Sequence, residues 1–535
     1  MSENLNLTDF FILHLMIYPF LYAETHYRFR YFFSFLKKKE PEIIADIPLR
    51  IHLGAMMPIL IIIKDADKYP VRLNKLSVYE KNQILFSHEI NKNIRMSYSD
   101  LVYYMSTNDL TGGKHQFNIQ IEYAIEGRLK TCFADNHRGT SHEPFSINIS
   151  TEPLPRFENC YLGETHSHSN YTSDQVEFGT SLSATQIMAR ALELDFFCTT
   201  DHSYDLDDHK DNYLKNDPNL GKWADFQQEV IKLNQKDKTV LIIPGEEVTV
   251  RNVDGKNVHL LIYNSETFYP GTGDSGEKWF QNRSELSISD VIEKLSDSSI
   301  AVAAHPSETT PFLQKLLINR DSWQSQDCAE TGLHGMQFIN GGEKAFLNNG
   351  KHLWIEQLLS DNRLTGIAGN DAHGNFSRFR QIGFPFFTMR ENHHHLFGNW
   401  FTGVYIRYDK LSIKSFLDAI KSGSCYMTNG PALLIQMQNT NTHFMMGEEC
   451  PSPSFLKIMV RSIETFGKVS SIYIILGDLT RKEESIYYHE SPDINETEYQ
   501  SNIPLTHLPQ RGYIRVEVET DHNFQALSNP VWFHM

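Results

Sequence analysis

Beyond residue 45, apolar and polar positions alternate in short runs: PLRIHLGA, PILIIIKDAD, RLNKLSVYE, KHQFNIQIEYAIEG and FSINIS, separated by Asp, Asn, Gly and Pro. A period of two, rich in β-branched side chains and broken by turn residues, predicts an immunoglobulin-like β-sandwich over 45–152. From about residue 155 the texture changes. Strands CYLGETH, DFFCTTDH, TVLIIPGEEVTV, NVHLLIYN, SIAVAAHP, GMQFIN and TGIAGNDAH alternate with helical stretches SATQIMARALEL, SISDVIEKLSD, TPFLQKLLI and KHLWIEQLLSD. Apolar strands alternating with helices predict an α/β unit with buried parallel strands. About seven such units, closed by VYIRYD and KLSIKSFLDAIKSG, predict a barrel over 155–430 whose chemistry gathers at the carboxyl ends of its strands. After TNGP the period of two returns, and FLKIMVRSI, SSIYIILGD, ESIYYHE, GYIRVEVET and NPVWF predict a second β-sandwich over 432–535.

The remaining segment, 1–44, carries the apolar run Phe10–Ala23, interrupted by His14 and Pro19 and followed by Arg28, Arg30, Lys37, Lys38 and Lys39 among aromatic residues. It is shorter than the ~20 residues a bilayer span requires, and no basic stretch precedes it as in a secretory signal. Two readings stay open: a segment at an anionic membrane surface, or a helix packed on the body of the protein or on a second subunit.

Composition narrows the function classes. The 535 residues carry 49 Lys and Arg against 66 Asp and Glu, a formal charge of −17, and no long basic run offsets it, so a nucleic-acid partner is not expected. The six cysteines are far apart with no Cys-x-x-Cys pair. Buried free thiols in a reducing, cytoplasmic setting, with peripheral membrane contact left open, are the expectation.

Side chains that bind metals fall at the carboxyl ends of the predicted strands: His166 and His168, Asp201 and His202, Glu246 and Glu247, His305, and Asp371 with His373, while His259 lies within its strand. In an extended strand i and i+2 share a side, so His166 and His168 face one spot, and Asp174 follows across a polar turn. Each has an ordinary alternative: a surface turn, a capped strand end, a helix start. Their joint placement is harder to dismiss, because parallel strands bring such ends together. Of Glu246 and Glu247 only one can point at the same spot.

The ordered set H-x-H at 166 and 168, T-D-H at 200–202, P-G-x-E at 244–247, A-H-P at 304–306 and D-x-H at 371–373 resembles the polymerase and histidinol phosphatase (PHP) family. GETHSHSNYTSD, GNDAHG and the late TNGP are similar to its multidomain branch, which includes carbaryl-hydrolysing esterases. The resemblance implies a distorted seven-stranded β/α barrel holding two or three divalent ions of zinc, manganese or iron. It implies one ion on His166, His168, Glu247 and Asp371, a second sharing Glu247 with His259 and His305, and a third on Asp174, His202 and His373. Asp174 stands where relatives often have histidine, which tilts that position toward harder metals. Glu247, Asp371 and His373 would then act catalytically through a metal-activated hydroxide, with Asp201 orienting an imidazole behind them.

Arg378, Arg380 and Asn370 are the candidate substrate contacts, a guanidinium being suited to phosphate or carboxylate; pairing with barrel carboxylates is the competing role. The run His393–His395 lies in a polar segment without a period. The expected activity is hydrolysis of a small phosphorylated molecule. A carboxylester, carbamate or amide hydrolase and a non-catalytic recruitment module are the alternatives, and a proofreading nuclease is disfavoured by the charge.

Overall fold

The computed structural model describes residues 40–136, 142–172, 179–210, 212–273, 282–310, 315–316, 318–342, 344–377, 381–384, 387–390, 395–440, 442–492 and 496–535. The N-terminal apolar and basic segment, Asp174, Arg378, Arg380, His393 and His394 lie outside them. Among the described residues no helix is long and apolar enough to cross a membrane.

The chain is rich in β-structure, arranged in several sheets. At the N-terminal end, a three-stranded sheet of Glu42–Asp46, Met56–Lys64 and Tyr98–Ser106 packs against a six-stranded one centred on Val71–Glu80 and Gly113–Ile125. Ile59, Ile61 and Ile63 of the first meet Leu76, Val78, Phe117 and Ile119 of the second in one apolar cluster, as alternation along each strand requires.

The central region contributes β1 (Cys160–Ser167), β2 (Phe196–Thr199), β3 (Leu241–Arg251), β4 (Asn257–Tyr263), β5 (Ile300–Ala304), β6 (Gly335–Asn340) and β7 (Thr365–Gly369), hydrogen-bonded in that order. Most junctions are parallel, but β4 runs antiparallel to both β3 and β5, which corrects the expectation of parallel strands throughout. The cause is the short β3–β4 connection. Asn252 N–H donates to Lys256 O at 2.9 Å and Gly255 takes φ +71°, a tight turn with no room for a crossover helix. One face of these strands is an apolar cluster of Phe196, Cys198, Ile243, Leu261, Tyr263, Val302 and Ile367.

Strand β7 comes back beside β1. Ser167 bridges Ala372 in parallel, and His168 N–H donates to Ala372 O at 2.9 Å. A Cβ on Gly369 would lie 2.8 Å from Thr165 Oγ1 and 2.9 Å from His166 Cβ, so only glycine permits this approach.

Helices between the strands are α1 (Leu182–Ala191), α2 (Gly221–Lys236), α3 (Ile288–Ile292), α4 (Lys344–Leu359) and α5 (Ile413–Ser422). Ser287 caps α3 through a capping box with Asp290, as its sequence signals, although the helix is one short turn. Most of the stretch TPFLQKLLI lies outside the described residues. Helix α2 is one the sequence pattern did not predict; its buried positions are Phe226 and Val230 on an otherwise polar surface.

Beyond the central region the sheet continues. β8 (Phe401–Tyr405) pairs β1, β9 (Cys425–Thr428) pairs β8, and Gln525–Ser528 pairs β9, all antiparallel, so one 15-stranded sheet runs on into the C-terminal strands. A four-stranded sheet built on Ala432–Gln438 and Phe455–Arg461 packs over that extension, with Leu433, Ile435, Ile458 and Val460 meeting Ile474, Val516 and Val518. All six cysteines are buried and free.

Candidate metal centre

Strand ends, and for Glu247 and His259 the interiors of β3 and β4, bring eight of the nine predicted ligands to one place; Glu247 was expected at a carboxyl end, but β3 runs on to Arg251 to pair with β4, and the ninth residue, Asp174, is outside the described residues. Their donor atoms form three groups, each within 4.8 Å: His166, His168, Glu247 and Asp371; Glu247, His259 and His305; and His168, His202 and His373. Glu247 stands between the first two. Its Oε1 lies 2.6 Å from His259 Nδ1 and 3.1 Å from His305 Nε2, while Oε2 lies 3.4 Å from both His166 Nε2 and His168 Nε2 and 3.1 Å from His202 Nδ1. Asp371 Oδ1 sits 2.9 Å from His168 Nε2 and 3.3 Å from His166 Nε2.

Several outer nitrogens are occupied, which turns the opposite nitrogen inward. His166 Nδ1 meets Gln337 Oε1 at 2.7 Å, His305 Nδ1 meets Glu308 Oε2 at 3.0 Å, and His373 Nδ1 meets the Asp371 carbonyl at 3.1 Å. His168 Nδ1 faces Thr172 Oγ1 at 3.4 Å, and that hydroxyl donates to Asp201 Oδ1 at 2.9 Å. With Nδ1–H donated outward, each of these four rings in its neutral form carries the Nε2 lone pair toward the centre. Glu247 Oε2, His202 Nδ1 and His373 Nε2 are buried and make no hydrogen bond among the described residues, although Glu247 and His202 are close enough. Buried polar atoms that converge in this way could hold a cation, and imidazole with carboxylate is a suitable donor set for zinc, manganese or iron.

Electrostatics point the same way. Burial alone would raise the Glu247 carboxyl, yet the imidazoles around it, His259 and His166 foremost, hold it well below the usual carboxylate range. Asp371 is also held low against its burial, by His166 and His168. Burial lowers His202 to about 4, with His168 adding to the effect, and takes His373 well below its ordinary value. For His168 burial is overcome by Asp371 and Glu247, which raise it to about 10.

Three predicted roles change. Asp201 touches no imidazole in its observed hydrogen bonds: its carboxylate accepts from Ser169, Thr172 and Thr199, so it reaches His168 only through Thr172. Asn370 is fully buried, and its side chain is taken up by Glu164 and by both backbone groups of Trp400, which leaves nothing to offer a substrate. The third group includes His168. Glu246 points away, as strand alternation demands; burial pushes it up to about 8 despite the Ser203 hydroxyl at 3.1 Å. His395 bonds the Asn370 carbonyl at 2.8 Å and belongs to none of the three groups.

Sequence reasoning missed Gln337, Glu308, Thr172 and Glu164. One signal was present: Gln337 is an amide in the middle of the otherwise apolar strand GMQFIN, and a polar side chain in a buried strand needs a partner.

No protein-family model matches this sequence, and no curated protein matches it. Among solved structures, the chain is aligned with trypsin-activated alpha-2-macroglobulin from Escherichia coli at 8% identity over 93% of its own length and 24% of the other's, with a TM-score of 0.16. It is aligned with β-D-mannosidase from Dictyoglomus thermophilum at 7% identity, covering 93% and 68% of the two chains, TM-score 0.24. A cycloisomaltooligosaccharide glucanotransferase from Paenibacillus sp. gives 11%, 92% and 71%, TM-score 0.18. The chain thus spans about a quarter of the macroglobulin's length. At such scores none of the three bears on fold or chemistry.

Proposed function

We propose that this chain is a metal-dependent hydrolase of the PHP kind, its seven central strands forming a distorted barrel, acting as a phosphoesterase on a small phosphorylated substrate. The observation that carries the reading is Glu247, whose two oxygens face two different histidine sets, the arrangement expected of a bridging carboxylate. His166, His168, Glu247 and Asp371 would hold one ion, Glu247, His259 and His305 another, and His168, His202 and His373 a third. Divalent ions bound there supply Lewis acidity and lower the pKa of water.

The residues supply the rest. Gln337, Thr172, Glu308 and the Asp371 carbonyl keep protons on the outer ring nitrogens, so the inner ones stay available as donors. The Glu247 side chain is 0% exposed and that of Asp371 19%, which puts the open side of the centre at Asp371 and makes it the side from which substrate approaches. Excluding water from the deeper donors strengthens every interaction with developing negative charge.

Carboxylester or carbamate hydrolysis is the second reading. It is favoured by Arg320, a guanidinium near the rim that is engaged with Glu308 at 3.7 Å rather than held open for a phosphate. Assays on p-nitrophenyl phosphate, bis-p-nitrophenyl phosphate and p-nitrophenyl acetate with added Mn²⁺ or Zn²⁺ separate the two. Turnover of the phosphates is expected; turnover of the acetate alone reverses the order, and a pure protein that binds no divalent ion removes both.

A further inference from the structure

Two ligands of the centre rest on unlike partners. The His305 Nδ1–H points at Glu308 Oε2, 3.0 Å away, a carboxylate that also faces Arg320 Nη2 at 3.7 Å. The His166 Nδ1–H points at Gln337 Oε1, 2.7 Å away, a neutral amide. The amide cannot be turned round without loss, because Gln337 Nε2 donates to Asn340 Oδ1 at 3.0 Å. On the inner side the two imidazoles address opposite ends of one carboxylate: His305 Nε2 is 3.1 Å from Glu247 Oε1, and His166 Nε2 is 3.4 Å from Glu247 Oε2.

A carboxylate acceptor makes an imidazole a more electron-rich ligand than an amide acceptor does, since hydrogen bonds to a charged acceptor are about twice as strong as neutral ones. Exposure separates the two positions at one residue. The side chains of His259 and His305 are 4% and 6% exposed and those of His166 and His168 0%, while Asp371, which belongs only to the second position, is 19% exposed and opens it to solvent. We propose that Glu308 and Gln337 make the two cation positions unequal: the position of Glu247 Oε1, His259 and His305 fills first and retains its ion, and the position of Glu247 Oε2, His166, His168 and Asp371 fills later and exchanges. Glu308 is therefore a positioning residue acting through His305. The inference rests on the reading of this cluster as a metal centre.

The test uses the full chain, stripped of ions and titrated with Zn²⁺ against a chromophoric chelator, with elemental analysis at saturation. Wild type should load in separate steps. Glu308→Gln, which gives His305 the same kind of partner as His166 has, should weaken the tightest step by roughly 10–100-fold and leave the saturating metal content unchanged. Glu308 is at the rim with its side chain 35% exposed, so this variant is not expected to compromise folding, and circular dichroism confirms that before titration. The reciprocal Gln337→Glu should tighten the later step where it folds. A protein that binds no divalent ion overturns this inference together with the metal centre. Loading in one step, or stepwise loading that Glu308→Gln leaves unaltered, overturns the inequality while the metal centre stands.

Discussion

Of the proposed ligands His168 has most at stake, because its Nε2 lies between Asp371 and Glu247 and its ring belongs to two of the three donor groups. His168→Ala is expected to lower metal content by elemental analysis and to cut turnover by more than the roughly 10–100-fold typical of losing an outer partner; full metal content and activity in this variant would remove the centre as drawn. Protonation sets a second expectation. In the ion-free fold, burial acts to lower His168 and His305, but Asp371 and Glu247 for the first, and Glu308 and Glu247 for the second, raise each to about 10. A raised histidine adds stability below its ordinary pKa of ~6.5 and loses it as pH climbs toward 10, while ions need the neutral ring. Both effects have one sign, so the gain in Tm on loading should widen between pH 7 and 9, measured by calorimetry of stripped and loaded protein; a gain that narrows with pH would contradict it. Glu246 works in the opposite sense from a carboxyl that gains partners. Its folded pKa of about 8 lies above the ordinary 4.5, so the fold binds its proton more tightly and stability falls as pH rises from 4.5 to 8. Glu246→Gln should flatten that decline in denaturant titrations across the range, by on the order of a few kcal/mol at its upper end.

Elements decide which residues can meet. Strand β3 carries Glu246 and Glu247, but its antiparallel partner begins only at Gly245, and beyond Pro244 O, which accepts from Asn264 N–H at 2.7 Å, Ile242 has no strand beside it on that side among the described residues. Helix α2 fills the gap: Asn234 Nδ2 donates to Ile242 O at 2.7 Å, and Ile242 N–H donates to Asn234 Oδ1 at 2.8 Å. Asn234→Ala orphans both groups and should cost about 2 kcal/mol in equilibrium unfolding, whereas an unchanged midpoint would mean that water replaces the amide at no cost. The sequence conveyed α2 poorly, because it buries only Phe226 and Val230 and its stripe is too narrow to stand out from its polar surface. It conveyed the ligands better. Each sits on or just beyond an apolar strand, so H-x-H, T-D-H, G-x-E, A-H-P and D-x-H were legible as chemistry before any contact was visible. Their supports were not, since Glu308 and Thr172 are ordinary loop residues until folding sets them beside His305 and His168. The direction of β4 is not in its own residues: a period of two or a run of apolar residues says strand, and the short turn through Asp254 and Gly255, a hairpin signal in the sequence, says which way it goes.

Across the whole molecule, the flanking sheets are fastened to the centre and not merely appended. Asp46, in the N-terminal three-stranded sheet, accepts from Phe376 N–H at 2.8 Å and from Ser377 N–H and Oγ–H at 3.2 and 2.9 Å, and Leu49 N–H donates to Phe376 O at 3.0 Å. Phe376 and Ser377 follow His373 on the loop that starts from Asp371. Removing this buried carboxylate should therefore cost about 2–4 kcal/mol and also weaken ion binding, although no ligand is altered. Asp46→Ala tests it by paired thermal melts and chelator competition; lost stability with undiminished affinity would show that the fastening does not reach the centre. At the other end, the sheet passes through β9 into the C-terminal strands, and Asn529 Nδ2 donates to the Gly366 and Cys425 carbonyls at 2.9 Å each. The attachment of Asp46 has a practical consequence for anyone shortening the chain to isolate its central region: cutting away the first 150 residues would untie a loop more than three hundred positions downstream, and the trimmed protein would be weakened by a loss far from the place where it was cut.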